Sequence, residues 1–227
     1  MSHFVVAVFS HEPDQVDELL APYIEQVDPD SSFAEFVEDD EHDLDETTGK
    51  RGFWHNPNAR WDWYTVGGRW RGLLKLLEGK TGRYGNEYTE EERKELKDDH
   101  CDSALVNDCD FSASEEAWQN AVRVWEIIVE GRERTEEEKG QFLGIYTAQY
   151  YLDQYGTKEN YARQQSMFLP FAFVTADGEW NETGRMGWWA MSDATADSRE
   201  SFVSAFQAYL EEARKQNLTI TMVDCHI

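Results

Sequence analysis

The chain opens on an apolar run, Phe4-Val5-Val6-Ala7-Val8-Phe9, too short for a core helix and closed by Ser10. It predicts a buried strand over residues 3–9. Beyond it Val16, Leu19, Leu20, Tyr23, Ile24 and Val27 recur at helical spacing, and Pro13 suits a first helical turn, so a helix is predicted over that stretch. Residues 28–48 lose the apolar rhythm and carry Asp and Ser punctuation, the pattern of a surface loop. Leu73–Leu77 reads as a strand or short helix. Thr89 with Glu92 forms one capping box, Ser112 with Glu115 another, and Thr135 with Glu138 a third. The first predicts a short charged helix. The second predicts a longer one with Trp118, Ala121, Val122, Trp125, Ile128 and Val129 on its apolar side, stopping at Gly131. The third predicts a helix through Phe142 and Tyr146 towards Tyr155.

The last third is clearer. Phe168–Thr175 is apolar and β-favouring, Ala176-Asp177-Gly178 is a hairpin turn signal, and Glu179–Asn181 begins the return. Phe202, Val203, Phe206, Tyr209, Leu210 and Ala213 mark an amphipathic helix for which Asn217 is a fitting end, and Leu218–Ile227 closes the chain as a strand. Strands at both termini with a helical block between them predict one α+β domain over residues 1–227. The expected sheet is ferredoxin-like or a related mixed one, with a helical insertion at about 85–165.

Composition narrows the class. At 227 residues, with 40% hydrophobic and 14% aromatic positions, the chain can build a substantial core. No apolar run approaches the ~20 residues of a membrane span, and the start lacks the basic and small-residue pattern of a signal peptide. Three cysteines, Cys101, Cys109 and Cys225, then read as reduced thiols in a cytosol. A net charge of −25 disfavours direct binding of nucleic acid.

That charge is unevenly placed. Residues 28–46 hold ten carboxylates and no Lys or Arg, whereas Lys50–Arg83 holds eight basic residues against Asp62 and Glu78. Either the basic segment neutralises the acidic one, or it lines an anion site. The second account gains from composition: Trp54, Trp61, Trp63 and Trp70 interleave with Arg51, Arg60, Arg69 and Arg71 around Gly67-Gly68. Arginine forks grip phosphate, and indoles stack on base-like rings. If extended here, the chain would place Trp61 and Trp63 on one face and Asp62 and Tyr64 on the other. The candidate binding residues are Arg60, Trp61, Trp63, Tyr64, Gly67, Gly68, Arg69 and Trp70, joined by Trp188 and Trp189 from the Gly187 turn.

Candidate catalytic groups are Asp108, Asp110, Asp224 and His226. On a strand Asp224 and His226 share a face, as an oriented base or a metal pair would, although a frayed terminus explains the polarity as simply. Asp108 and Asp110 can flank a divalent cation, the one cofactor these residues suggest, or lead polar residues into a helix. His100, Cys101, Cys109, Cys225 and His226 match no established zinc spacing.

Motifs along the whole chain resemble a family of uncharacterised bacteriophage and mobile-element proteins. They are Ser2-His3-Phe4, Leu20-Ala21-Pro22-Tyr23, Asn56-Pro57, Trp61 through Trp70, Asp108-x-Asp110, Asp177 through Trp180, Gly184, Met186 through Trp189, and Val223 through His226. This chain departs from the family in having Cys109 between the two aspartates, and its segment 132–166 reads as an insertion. The resemblance implies a viral or prophage protein in a bacterial host cytoplasm and brings no activity with it. Two functions are therefore expected as alternatives: binding of a phosphate-bearing, nucleotide-like ligand, by sequestration or hydrolysis, or an acidic nucleic-acid mimic directed at a host defence protein.

Overall fold

A computed structural model of the chain describes residues 2–85, 88–144, 146–187 and 191–227. Trp188 and Trp189 lie outside the described residues. The two apolar runs at the chain ends become the longest strands. β1 (His3–Ser10) pairs antiparallel with β10 (Thr219–His226) along its full length, from His3 opposite His226 to Ser10 opposite Thr219.

β10 is paired on its other edge as well, to β4 (Trp63–Val66) at its C-terminal end and to β7 (Ser103–Leu105) at its start. On the far side of β1 lies the parallel strand β8 (Ala172–Val174), then antiparallel β9 (Trp180–Glu182), giving the path β4-β10-β1-β8-β9. The chain is thus α+β with a mixed sheet, its two terminal strands adjacent at the centre. No strand separates β1 from β8, so the sheet is a relative of the ferredoxin-like arrangement rather than that split βαβ unit itself. The expectation of a frayed C-terminus is overturned. Every residue of β10 is buried, because β10 has neighbours on both sides and a core on both faces.

The pleat divides that core. On one face Val5, Ala7, Phe9, Phe173, Ile220 and Met222 meet Phe202, Phe206, Leu210 and Ala213 of α6 (Ala196–Gln216). Thr195 caps the start of α6, and Asn217 ends it in the left-handed region at φ 54°. On the other face Phe4, Val6, Val8, Val174, Val223 and Cys225 meet Trp61 and α1 (Val16–Leu20). A third cluster, built on Trp125, Tyr151 and Tyr161, joins α3 (Glu115–Ile128), α4 (Ala148–Tyr155) and α5 (Lys158–Ser166) within the expected insertion.

Several expected elements differ. The helix expected to reach Val27 stops at Tyr23 after one α-helical and two 3₁₀ turns, because Pro22 has no N–H to continue the ladder. Ile24 then bridges to Trp61. The acidic loop contains β2 (Glu35–Glu38), which pairs with β3 (Gly52–His55) in a separate hairpin where Phe36 packs on Trp54. α3 is capped by Ser114 instead of Ser112, whose N–H and hydroxyl both donate to Asp110. The helix expected from Thr135 does not form: Glu138 closes a turn on the Thr135 N–H and on Arg132, and Gly140 and Gly144 adopt positive φ. A short strand pair, β5 (Leu74–Lys75) with β6 (His100–Cys101), and the capped α2 (Glu90–Arg93) lie between β4 and β7. Among the described residues no helix is long and apolar enough to cross a membrane.

Candidate functional site

At the end of the sheet where β1 begins, β10 ends and β4 begins, side chains on one face converge. His3 stands opposite His226, and Trp63 opposite His226 on its other side; Thr65 stands opposite Asp224. Directly opposed residues of antiparallel strands share a face, so register alone gathers His3, Trp63, Thr65, Asp224 and His226.

Two histidine–carboxylate pairs result. His3 Nδ1 hydrogen-bonds Asp224 Oδ1 at 2.8 Å, and His226 Nδ1 hydrogen-bonds Asp62 Oδ1 at 2.7 Å. The two imidazole centroids lie 4.9 Å apart, edge to face. The Trp63 indole stacks on His226 at 5.1 Å with planes 17° apart, and still leaves 45% of the residue exposed. Asp62 also donates its backbone N–H to the His226 carbonyl, so one residue holds both ends of that histidine. Neither ring makes a second hydrogen bond among the described residues.

The wall opposite the histidines is the turn Gly67-Gly68-Arg69. Gly68, at φ 55°, lies so close to the sheet that a Cβ there would sit 2.6 Å from the Asp224 Cβ. That approach lets the Arg69 N–H donate to Asp224 Oδ2 at 3.0 Å. Gly67, at φ 76°, leaves room for Tyr88 and Asp102. Asp102 is fully buried and accepts from the Gly72 N–H at 2.6 Å, the Gly85 N–H at 2.9 Å and the Tyr88 hydroxyl, tying the arginine-bearing turn to Gly85 and Tyr88. Burial, reinforced by the bond to Asp102, holds the Tyr88 hydroxyl protonated well above its ordinary range.

Between these walls is an open cleft of about 450 Å³, lined by His3, Trp63, Thr65, Gly68, Arg69, Arg71, Tyr88, Glu92 and Asp224. Its two arginines differ. Arg71 is committed to Glu92 and Glu95 at 3.2 and 3.3 Å. The exposed Arg69 guanidinium has no partner among the described residues.

The sequence-predicted set separates into groups. Trp63, Gly68, Arg69 and Asp224 line the cleft; His226 stands behind it with Trp63, and Gly67 shapes the turn. Trp61 does not share a face with Trp63. A bend at Asp62 turns Trp61 into the opposite core, where it is 6% exposed and bonds the Leu20 carbonyl. Tyr64 follows it there, in edge contact with Trp61 and bonded to Asp17. Arg60 pairs with Glu182 at 3.1 Å, and Trp70 packs against the α6 face of the core.

Asp108 and Asp110 do not join Asp224 and His226. They follow β7, which pairs with the opposite end of β10, and they face Lys80 at 2.8 Å and Lys75 at 2.7 Å. The Lys75 ammonium and the Ser112 donors hold the Asp110 carboxyl well below its usual range. The cysteines do not assemble either: Cys101 and Cys109 are in one core layer and Cys225 in the other. Among the described residues no group of three or more His, Cys, Asp or Glu side chains is placed to hold a metal ion.

Among the described residues, Lys50 alone of the eight cations of the basic segment pairs with the acidic run, at Glu38, so the basic segment does not neutralise that run there. His3, Asp62 and Asp102 were missed as site residues by sequence reasoning. The available signals were the polar residue at the mouth of each terminal strand and an aspartate among the small residues of Cys101-Asp102-Ser103-Ala104.

These features define an α+β protein with a cleft at one end of a mixed sheet, lined by the His3–Asp224 pair and backed by the His226–Asp62 pair. The chain matches no protein-family model, no curated protein and no solved structure.

Proposed function

We propose that the cleft binds a phosphate-bearing, nucleotide-like small ligand. The observation that carries the reading is the meeting of an uncommitted arginine, Arg69, an exposed indole, Trp63, and a carboxylate-backed histidine, His3, in one concave site. Arg69 supplies forked donors for phosphate oxygens, and Trp63 a ring for a base to stack on. The resemblance to phage and mobile-element proteins would set this activity in an infected bacterial cell, where removal of a nucleotide signal acts against host defence. A thermal-shift series with 5′-AMP and 3′,5′-cyclic AMP tests it. A shift of several degrees in the wild type, lost in Arg69→Ala and in Trp63→Ala, is the expected result. Equal shifts in all three proteins would refute it.

One observation favours a second reading, an acidic mimic of nucleic acid. Asp28, Asp30, Glu35, Asp40, Glu41, Asp43 and Glu46 are all exposed and carry no ion pair among the described residues, on or beside the β2–β3 hairpin. A partner engaged there is a nucleic-acid-handling protein, and its capture falls steeply with salt. Salt-independent capture, or capture by a chain with these seven neutralised, would count against it.

A further inference from the structure

A second concave site lies away from the cleft, where the helical insertion meets the sheet core. It is a cavity of about 330 Å³ between α4, the end of α5, the segment leading into β8 and the start of α6. Met167, Leu169, Phe171 and Phe202 give it apolar walls. Among the described residues Arg199 is the one Lys or Arg that lines it, and no Asp or Glu does so. In a chain with 46 acidic residues and a net charge of −25, an anion here meets a cation with no competing carboxylate in the cavity wall.

Arg199 is braced without being neutralised. Its Nε and Nη2 donate to Gln154 Oε1 at 3.0 and 2.9 Å, and Gln154 is held in turn by donating from Nε2 to the Ala194 carbonyl at 2.8 Å. The guanidinium lies over the Tyr155 ring, 5.2 Å from its centroid. Both partners are uncharged, and Glu200, the next residue of α6, is taken by Arg163. The Nη1 side of the fork makes no hydrogen bond among the described residues. Arg199 is also the fourth residue of α6, near the positive end of that helix, where a cation is disfavoured unless an anion compensates it. Two further polar groups on the same cavity are unpaired. Gln164 is 9% exposed, yet its carboxamide makes no hydrogen bond among the described residues. A buried amide without a partner is costly, so such a group marks a place that a ligand completes. The Tyr155 hydroxyl has no hydrogen-bond partner among the described residues either, and burial keeps it protonated above its ordinary range, ready to donate.

We propose that this cavity is a second ligand site, for a small organic carboxylate with an apolar body. The carboxylate seats on the open side of the Arg199 fork, and Gln164 and Tyr155 supply the neighbouring hydrogen bonds. The hydrocarbon part lies against Met167, Leu169, Phe171 and Phe202. One cation matches one negative charge, which favours a carboxylate over a doubly charged phosphate monoester. Gln154 is a positioning residue that aims the fork. The site shares no lining residue with the cleft at the Gly67-Gly68 turn, so it stands whether or not that cleft binds a nucleotide.

The test titrates the full chain with phenylacetate and with its uncharged isostere phenylacetamide, followed by isothermal calorimetry. Saturable binding of phenylacetate is expected, about tenfold or more tighter than that of phenylacetamide. Arg199→Gln should weaken phenylacetate binding by about tenfold or more, while Arg69→Ala, which removes no part of this cavity, keeps it within about twofold. Should Arg199→Gln fail to fold, the other two proteins decide: a preference of about tenfold for phenylacetate in the wild type, kept in Arg69→Ala, supports the site. Equal affinity for the two probes overturns it, as does the absence of saturable phenylacetate binding below ~10 mM. Binding unchanged in a folded Arg199→Gln, or lost in Arg69→Ala, also overturns the assignment to this cavity.

Discussion

Asp102 makes a sharp test of how the cleft is held, because one fully buried carboxylate accepts from three donors on two segments. In Asp102→Asn the shape is kept and one oxygen becomes an NH₂ group. If the amide oxygen stays on the Gly72 N–H, the new NH₂ faces the Gly85 N–H and Tyr88. The tyrosine hydroxyl can turn and accept, but the Gly85 N–H cannot. Flipping the amide only transfers the conflict to Gly72. Hydrogen bonds to a charged acceptor contribute about 1.5–3 kcal/mol each, and an orphaned buried donor costs about 1–3 kcal/mol. Losing one bond and weakening the others therefore destabilises the chain by roughly 2–4 kcal/mol. Asp102→Ala, which takes the acceptor from the Gly72 and Gly85 N–H groups and the Tyr88 hydroxyl together, costs roughly 3–6 kcal/mol, a large part of the ~5–15 kcal/mol available to a domain. Urea unfolding followed by tryptophan fluorescence measures both. The Tyr88 hydroxyl, relieved of its bond to Asp102, should also ionise at lower pH in the Asn variant. A loss below about 1 kcal/mol in Asp102→Ala, with unchanged Tyr88 titration, would refute the assignment of Asp102 as the hub of this wall.

Gly68→Ala adds a Cβ 2.6 Å from the Asp224 Cβ at a backbone of φ 55°, so it should cost roughly 2–4 kcal/mol and, by displacing Asp224 from His3, abolish the proposed nucleotide binding. Gly131→Ala is the matched control. Its φ is 73° with nothing within 4 Å of the added Cβ, so only the conformational strain of about 1–2 kcal/mol should appear in the same unfolding assay. The thiols give the pH dependence. Burial pushes Cys101 up to about 11 and Cys109 to about 12, from an ordinary 9.0. The folded chain thus keeps protons that the unfolded chain releases; their stabilisation is complete below about pH 9 and is lost as the pH rises through 11 to 12. Unfolding midpoints should fall over that window, and the three buried thiols should react with a disulfide reagent at pH 8 only after unfolding. A midpoint that rises above pH 9 contradicts the sign.

Local chemistry made much of the fold legible from residues alone. The apolar runs at both ends, the Ala176-Asp177-Gly178 turn, the Thr89 box and the Asn217 cap all act within a few residues of themselves, and each sits where its own propensities put it. Reading failed where two local signals competed. Ser112 resembles a cap, but Asp110 two residues earlier takes its N–H and hydroxyl, and Pro22 ends a helix whose apolar spacing continues to Val27.

The sequence by itself determined the ingredients of the site: polar residues at the end of an apolar terminal strand, a glycine pair that permits a close backbone turn, and arginine interleaved with tryptophan. Tertiary structure alone decided which of them meet. The antiparallel register of β1 on β10 brings His3 to His226 across almost the whole chain length, and a bend at Asp62 divides Trp61 from Trp63 between opposite faces. Lysines take Asp108 and Asp110 at the far end of β10. The physical reason is that strand propensity depends on neighbouring residues, whereas a site built across strands depends on register. Register is set by the burial of whole sheet faces and by turns far from the residues it brings together.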